Sequence, residues 1–344
     1  MLRNRLPLLI TGVAGVAGFN ALHYFRHKYP GQVVGIRPHM TTRLTGPALV
    51  AQDAEDAAGM SRLFEHHGFR SVLNCAGSCA LKSCEMDPTM AHTANVLTAN
   101  IIAELVRRHD ARLVHLSSDL VFSGKDSPRL SGEGPGVRGY IESNPTDPVT
   151  VYGKTMVQGE QAVLTKVPQA AILRISLPMG PSYNHHAGAI DWIQSRFRPG
   201  RPATLYFDEV RSCTYCDDMN DVFEKFLSSR AAGVYHCGGP LAMTLYQIAQ
   251  VINRVGDYRP ELLKGCPRIE AGPMPPRAGN VSMNSGKLCA ELGDQPFQPW
   301  PLGDDLTPTD RQWHFERPAD ELRSVQQIAA RLYRYPQKCL SSLA

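Results

Sequence analysis

Short apolar runs alternate with amphipathic stretches along most of this chain. Leu8-Leu9-Ile10 is the first run, wholly apolar and too short for a helix, and it predicts a strand buried on both faces. The turn Thr11-Gly12-Val13-Ala14-Gly15-Val16-Ala17-Gly18 follows it, and Phe19 to Lys28 then reads as a helix. The alternation repeats. Strands are predicted at Gln32–Ile36, ending in Arg37, and at 49–51. A helix is predicted over 56–67, and a strand at Ser71–Asn74 running into Cys75-Ala76-Gly77. A long helix from about Pro88 to His109 carries Asn95, a poor mid-helix residue that needs a polar partner. The next strand, Arg112–Leu116, ends in Ser117-Ser118-Asp119, and a helix starting near Thr146-Asp147-Pro148 carries Tyr152. Ala170–Ile175 is the sixth strand. This order predicts an α/β fold with a Rossmann-type, doubly wound parallel sheet.

After Pro178 the pattern loosens. Helices are expected at 187–198, 217–230 and 244–255, and strands at 203–207 and 233–237. The expected organisation is a dinucleotide-binding domain over 1–178, completed by later segments, and a smaller C-terminal substrate lobe over 179–303. An extension over 304–344 contains Trp313 and a predicted helix near 320–334. Gly124 to Ser143 is rich in Gly, Pro and Ser and reads as a loop or lid.

Strand, glycine turn and helix together are the context of a dinucleotide fingerprint. Gly12 suits a tight turn, Gly15 leaves room for a pyrophosphate against bare backbone, and Gly18 lets the helix pack on the strand. The helix N-terminus then offers unpaired N–H groups and the positive end of its dipole to the phosphates. At the end of the second strand an acid suits the ribose hydroxyl of NAD and a cation suits the 2′-phosphate of NADP. Arg37 stands there, so NADP(H) is expected over NAD(H). Asp53 is placed either to cap the helix of 56–67 or to contact the adenine edge. Small residues at Cys75, Ala76 and Gly77 let backbone pass close to a cofactor. The polar ends of strands, Ser117-Ser118-Asp119 among them, lie where open α/β sheets bind ligands.

Composition adds exclusions. The chain has 344 residues with 43% hydrophobic and 20% charged positions, ordinary for a globular protein. A net charge of +4, spread along the chain, carries no nucleic-acid footprint. Arg3 and Arg5 before an apolar run imitate a signal peptide, but small residues and glycines break that run, and the fingerprint explains it better. No segment has the ~20 apolar residues of a membrane span, so a cytoplasmic protein is expected. Nine cysteines, an odd number often set in apolar strands, read as reduced thiols. Cys213 and Cys216 have zinc or redox spacing, but no second pair or histidine cluster completes a site, and no metal is expected.

The chain resembles the extended short-chain dehydrogenases/reductases, and within them the dTDP-4-dehydrorhamnose reductase branch. The stretches that carry the resemblance are 11–18, Asn74-Cys75-Ala76-Gly77, Ser117 to Gly124, and Pro148 to Thr155 with Gly159-Glu160 behind it. Leu173 to Ser176, Arg211 to Asp218, Gly233 to His236 and Asn280 to Met283 also fit, so the similarity covers roughly 7–303. The resemblance implies an active site between a Rossmann lobe and a small substrate lobe. It implies Tyr152 as proton donor and Ser118 as the hydroxyl that holds the substrate carbonyl oxygen. The expected cofactor-binding set is then Gly12, Val13, Ala14, Gly15, Val16, Ala17, Gly18, Arg37, Asp53, Cys75, Ala76, Gly77, Asn95 and Tyr152.

One position departs from the family. It places a lysine four residues after the tyrosine, and here that residue is Met156. The lysine binds the nicotinamide ribose and favours the tyrosinate by its charge. Positions i and i+4 share a helix face, whereas Lys154 at i+2 points away from Tyr152. Two functions are therefore expected. One is an NADPH-dependent reductase, or an epimerase relative, acting on a keto group of a nucleotide sugar. The other is a non-catalytic NADP-binding regulatory subunit, similar in idea to the beta subunit of methionine adenosyltransferase, which shares this branch. The sequence leaves a homodimer open and names neither the sugar nor the base.

Overall fold

The computed structural model describes residues 2–125, 139–317 and 330–333. In its first half the strands are β1 (Leu8–Ile10), β2 (Val33–Arg37), β3 (Leu49–Ala51), β4 (Ser71–Asn74), β5 (Arg112–Ser118) and β6 (Ala171–Ile175). Between them run α1 (Val16–Lys28), α2 (Ala57–His67), α3 (Leu81–Met86), α4 (Pro88–His92), α5 (Thr98–Arg108) and α6 (Val151–Lys166). The second half adds β7 (Pro178–Met179), β8 (Ala203–Tyr206), β9 (Val210–Ser212), β10 (Thr214–Tyr215), β11 (Gly233–Cys237), β12 (Ala242–Thr244) and β13 (Leu263–Cys266). Its helices are α7 (Ala189–Phe197), α8 (Cys216–Ser228), α9 (Leu245–Val255) and α10 (Gly286–Leu292).

Seven strands form one parallel sheet in the order β3-β2-β1-β4-β5-β6-β11. The chain starts at the centre, runs out to β3, and crosses back to β4, so the strand order reverses between β1 and β4. That reversal is where open α/β sheets bind ligands. Successive strand residues face opposite layers, which is why the short runs are apolar throughout. Leu8, Ile10, Leu73, Val114 and Leu173 pack with Phe19, Leu22, Phe25, Phe223 and Phe226 of α1 and α8. Leu9, Val72, Leu113 and Ile172 pack on the other side with Met60, Phe64, Ile102, Val106 and Val163 of α2, α5 and α6.

Local capping sets the helix bounds. The helix carrying Tyr152 begins at Val151 rather than near 146, because Thr150 is its N-cap and accepts from the Gly153 N–H at 2.9 Å. Asp56, not Asp53, caps α2, accepting from the Gly59 N–H at 3.1 Å. The long helix expected from Pro88 to His109 is interrupted by a π-helical turn, Thr93–Leu97, between α4 and α5.

Beyond β6 the chain divides its residues between two layers. Strand β11 pairs with β6 at the sheet edge, and α8 lies against α1. The rest builds a second core around α7 and α9, where Ile190, Phe197, Ile248, Val251 and Ile252 pack with Trp300, Leu306 and Trp313. Short pairings hold it together: β8 with β13, β9 with β12 and β7 with β10. Within the extension, Trp313 joins this core and Gln250 of α9 donates to the Asp310 carbonyl at 2.9 Å. Most of the helix expected near 320–334, and residues 126–138 of the expected lid, lie outside the described residues.

Candidate active site

The glycine turn has three differently placed glycines. Gly12 has φ +63°, and a Cβ there would lie 2.1 Å from the Cys75 carbonyl oxygen. A Cβ on Gly18 would lie 2.3 Å from the Gly12 carbonyl oxygen, so the first turn of α1 rests on the bare turn below it. At Gly15 the nearest atom to a Cβ is the Gly12 oxygen at 3.4 Å, and this residue opens toward space. Gly15 is also the N-cap of α1 and supplies no side-chain cap, which leaves the first N–H groups of the helix to a ligand. Val13 and Val16 bury their side chains, so they present only backbone to that space.

Strand β4 is laced to this turn. The Thr11 hydroxyl donates to Asn74 Oδ1 at 2.6 Å and accepts from the Cys75 and Ala76 N–H groups, both at 3.1 Å. Asn95 has the polar partners its position requires: Oδ1 accepts from the Ser78 N–H at 2.7 Å, and Nδ2 donates to Thr155 Oγ1 at 2.9 Å. It thereby ties the loop after β4 to α6. Arg37 ends β2, and its guanidinium donates to the Pro38 carbonyl at 3.1 Å. Besides not capping α2, Asp53 has its carboxylate held by the His39 N–H at 2.9 Å and by His39 Nδ1 at 2.8 Å. Those bonds hold its carboxyl below the usual range.

The carboxyl ends of β5 and the start of α6 bring Ser118 and Tyr152 together. Gly153 allows it, since a Cβ there would lie 2.2 Å from the Leu120 carbonyl oxygen. Both side chains are buried. Burial pushes the Tyr152 phenol well up, the nearby Cys79 adds to that, and the Ser118 hydroxyl opposes it. Ser118 Oγ also lies 3.1 Å from Asp119 Oδ1 and accepts from the Leu120 N–H at 3.2 Å.

Met156 sits one turn beyond Tyr152 and belongs to the same apolar cluster, with Cys84, Leu120, Phe122, Tyr140 and Val281. Lys154 is exposed. No cation on α6 therefore lies one turn beyond the Tyr152 phenol.

Buried charges surround the pair, and the sequence reading did not single them out as a group. Glu160 on α6 forms a two-pronged pair with Arg174 on β6, both bonds at 2.8 Å, and also accepts from the Ser117 hydroxyl. The pair staples the helix of Tyr152 to β6, and the Ser117 bond ties it to β5, the strand of Ser118. His236 on β11 continues this polar layer, with Nδ1 at 2.8 Å from the Tyr140 carbonyl and its pKa driven down to about 3, chiefly by burial. On the other side Asp119 meets Arg211 Nε at 3.5 Å, and Arg211 Nη2 donates to Glu209 at 2.6 Å. A charged residue inside an apolar strand, as in Ala171-Ile172-Leu173-Arg174-Ile175, is the signal that points to such a network.

These features fit a dinucleotide: an open glycine at an uncapped helix N-terminus, at the point where the strand order reverses. Residues 6–303 match the family model described as RmlD substrate binding domain. The chain is 25% identical over 299 residues to the dTDP-4-dehydrorhamnose reductase of Mycolicibacterium smegmatis, covering 85% of this chain and 82% of that one. It is 26% identical over 247 residues to methionine adenosyltransferase 2 subunit beta of Xenopus laevis, covering 70% and 69%. Its fold superposes with TM-score 0.70 on the crystal structure of dTDP-4-dehydrorhamnose reductase from Bacillus anthracis in complex with NADP, at 18% identity, covering 85% of this chain and 95% of that one. Matched over residues 6–303, the chain is a member of the RmlD substrate binding domain family.

Proposed function

We propose that this protein is an NADPH-dependent reductase of a keto group on a nucleotide sugar. The observation that carries the reading is that Ser118 at the carboxyl end of β5 and Tyr152 at the start of α6 are both buried beside the open glycine turn. Relatives named as reductases of dTDP-linked keto sugars support the substrate class. In this reading the backbone of Gly12 to Gly18 and the turn Cys75-Ala76-Gly77 hold the dinucleotide. Arg37 reads its 2′-phosphate, and the lobe built around α7 and α9 holds the sugar nucleotide. The nicotinamide, when bound, supplies hydride to the carbonyl carbon. Ser118 orients the carbonyl oxygen, and Tyr152 gives that oxygen its phenol proton. A phenol with a raised pKa keeps its proton at neutral pH, which suits reduction. The reverse reaction needs the tyrosinate and is handicapped.

A second reading rests on Met156. An apolar side chain where the family has a lysine removes a ribose contact and a charge, and a relative named as a subunit of methionine adenosyltransferase favours a binding role. Single-turnover NADPH oxidation with a panel of 4-keto sugar nucleotides separates the two. The reductase reading expects turnover that Tyr152→Phe abolishes. NADPH bound without turnover of any panel member sinks that reading in favour of the regulator.

A further inference from the structure

This inference rests on reading the glycine turn as the dinucleotide site. Residues 304–344 lie beyond the family match, yet the segment 330–333 is built into the second core. Leu332 is wholly buried there, and its carbonyl accepts from Trp300 Nε1 at 3.2 Å. The Arg331 carbonyl accepts from the Tyr215 hydroxyl at 3.4 Å. The Tyr333 hydroxyl donates to Asp191 Oδ1 at 3.2 Å. Asp191 is buried in the first turn of α7. Its other oxygen, Oδ2, accepts from the Ser182 N–H at 2.8 Å and from the Ser182 hydroxyl. Ser182 Oγ in turn accepts from the His186 N–H at 3.2 Å, so one carboxylate gathers the loop 181–188. That loop lies against the first turn of α1. Asn20 Nδ2 donates to the Val16 carbonyl at 2.7 Å and to the Pro181 carbonyl at 2.9 Å. At the other end of the loop Gly188 has φ +84°, and a Cβ there would lie 2.6 Å from Val16 Cγ2. Val16 is the first residue of α1, directly after Gly15. Both ends of the loop therefore meet the helical turn whose N–H groups the dinucleotide reading assigns to phosphate.

We infer that Tyr333 is a positioning residue for the dinucleotide site, acting through Asp191 and Ser182 to hold the loop 181–188 against the N-terminus of α1. The C-terminal extension thereby sets how tightly the cofactor binds. Ordering a loose loop at the moment of binding costs conformational entropy, and a loop already held spares that cost. Burial and the Asp191 carboxylate push the Tyr333 phenol up against the opposing pull of Arg198, so it stays a hydrogen-bond donor at neutral pH. Tyr333 touches neither the glycine turn nor Ser118 and Tyr152 in this scheme. Its effect passes only through the loop.

Tyr333→Phe in the full chain tests this, because it removes one hydroxyl and keeps the ring that packs on the second core. Calorimetric titration reads cofactor affinity of the folded protein, which a general loss of stability would not move. Tyr333→Phe should weaken NADPH by about three- to tenfold, the size expected for a residue that modulates a site without touching its ligand. Amide exchange should quicken over 182–188 and stay as in wild type over α9. Ser182→Ala breaks the tether at its other end and should weaken NADPH similarly. The two changes together should weaken it by less than the product of the single effects, because they cut one chain of contacts. An affinity that Tyr333→Phe leaves unchanged or tightens overturns the inference. So does unaltered exchange over 182–188, or a double variant whose loss equals that product. If wild type binds neither NADPH nor NADH, the dinucleotide reading fails and takes this inference with it. If wild type binds and Tyr333→Phe binds equally well, the inference fails alone.

Discussion

Met156 lies one helical turn beyond Tyr152, and the two side chains are buried in one apolar cluster, at 7% and 9% exposure. A lysine introduced at that position would meet Leu120, Phe122 and Val281 rather than water. Burying an unpaired ammonium is unfavourable, so Met156→Lys should destabilise the fold by about 2–4 kcal/mol at pH 7. The new amine would have a folded-state pKa below its unfolded ~10.4, so the unfolded chain binds more protons between those values. The deficit should therefore shrink as pH rises towards 10. Equal melting temperatures for the variant and wild type at pH 7 would show that the pocket admits charge.

Gly12 and Gly15 should separate folding from binding. Gly12→Ala forces a side chain into a positive φ and against the Cys75 carbonyl, and should cost about 2–4 kcal/mol. Gly15→Val meets only open space and a φ of −86° that any residue adopts, so the fold should survive. Its branched side chain would fill the place of a pyrophosphate. Calorimetric titration with NADPH should detect no binding to Gly15→Val, and intact affinity would defeat the assignment of this turn.

Arg37 should decide between the cofactors. A charge-assisted contact to phosphate contributes about 1.5–3 kcal/mol, so Arg37→Ala should weaken NADPH by roughly ten- to a hundred-fold and barely affect NADH. Equal losses for both would mean that Arg37 does not read the 2′-phosphate.

Glu160 and Arg174 form a buried ion pair, and each is harmful without the other. Glu160→Ala leaves a buried guanidinium uncompensated and should destabilise by about 3–5 kcal/mol in urea denaturation. Combining Glu160→Leu with Arg174→Met should recover most of that loss. A double variant no more stable than Glu160→Ala would argue that Ser117 and His236, not the pair, hold the layer.

His115 is buried against Asn74 Nδ2 at 2.8 Å from its Nδ1, and burial pushes its pKa down to about 4. The unfolded histidine protonates near 6.5, so between about 6.5 and 4 the unfolded chain binds the extra proton. Stability should fall as pH drops through that window, by at most about 1.4 kcal/mol per pH unit from this group. His115→Gln should flatten that slope in denaturation curves at pH 7, 6 and 5. An unchanged slope would assign the loss to other groups.

The local period of apolar residues and the glycine turn made much of this architecture legible from the chain alone. Runs such as Leu8–Ile10 and 171–173 are apolar because both faces of their sheet are covered, and that property is written in adjacent residues. The turn at Gly12 is similarly local, since a positive φ is a demand on one residue. The need of Asn95 for a polar partner was also visible, though Ser78 and Thr155 as those partners were not.

Pairings between distant segments decided the rest. The two-residue strands β7 and β10 exist only because each lies beside the other, so no periodicity announces them. The choice of Asp56 over Asp53 as the cap of α2 turns on which aspartate adjoins the first helical turn once that turn forms. The return of α8 and β11 to the main sheet follows from where their apolar faces find partners. The contacts of Asp119 with Ser176 and Arg211, and the apolar surroundings of Met156, likewise depend on segments far apart in the chain. Sequence therefore determined which residue types were present for chemistry. Only folding decided which of them share a dry, hydrogen-bonded site, because burial and proximity are properties of the packed chain.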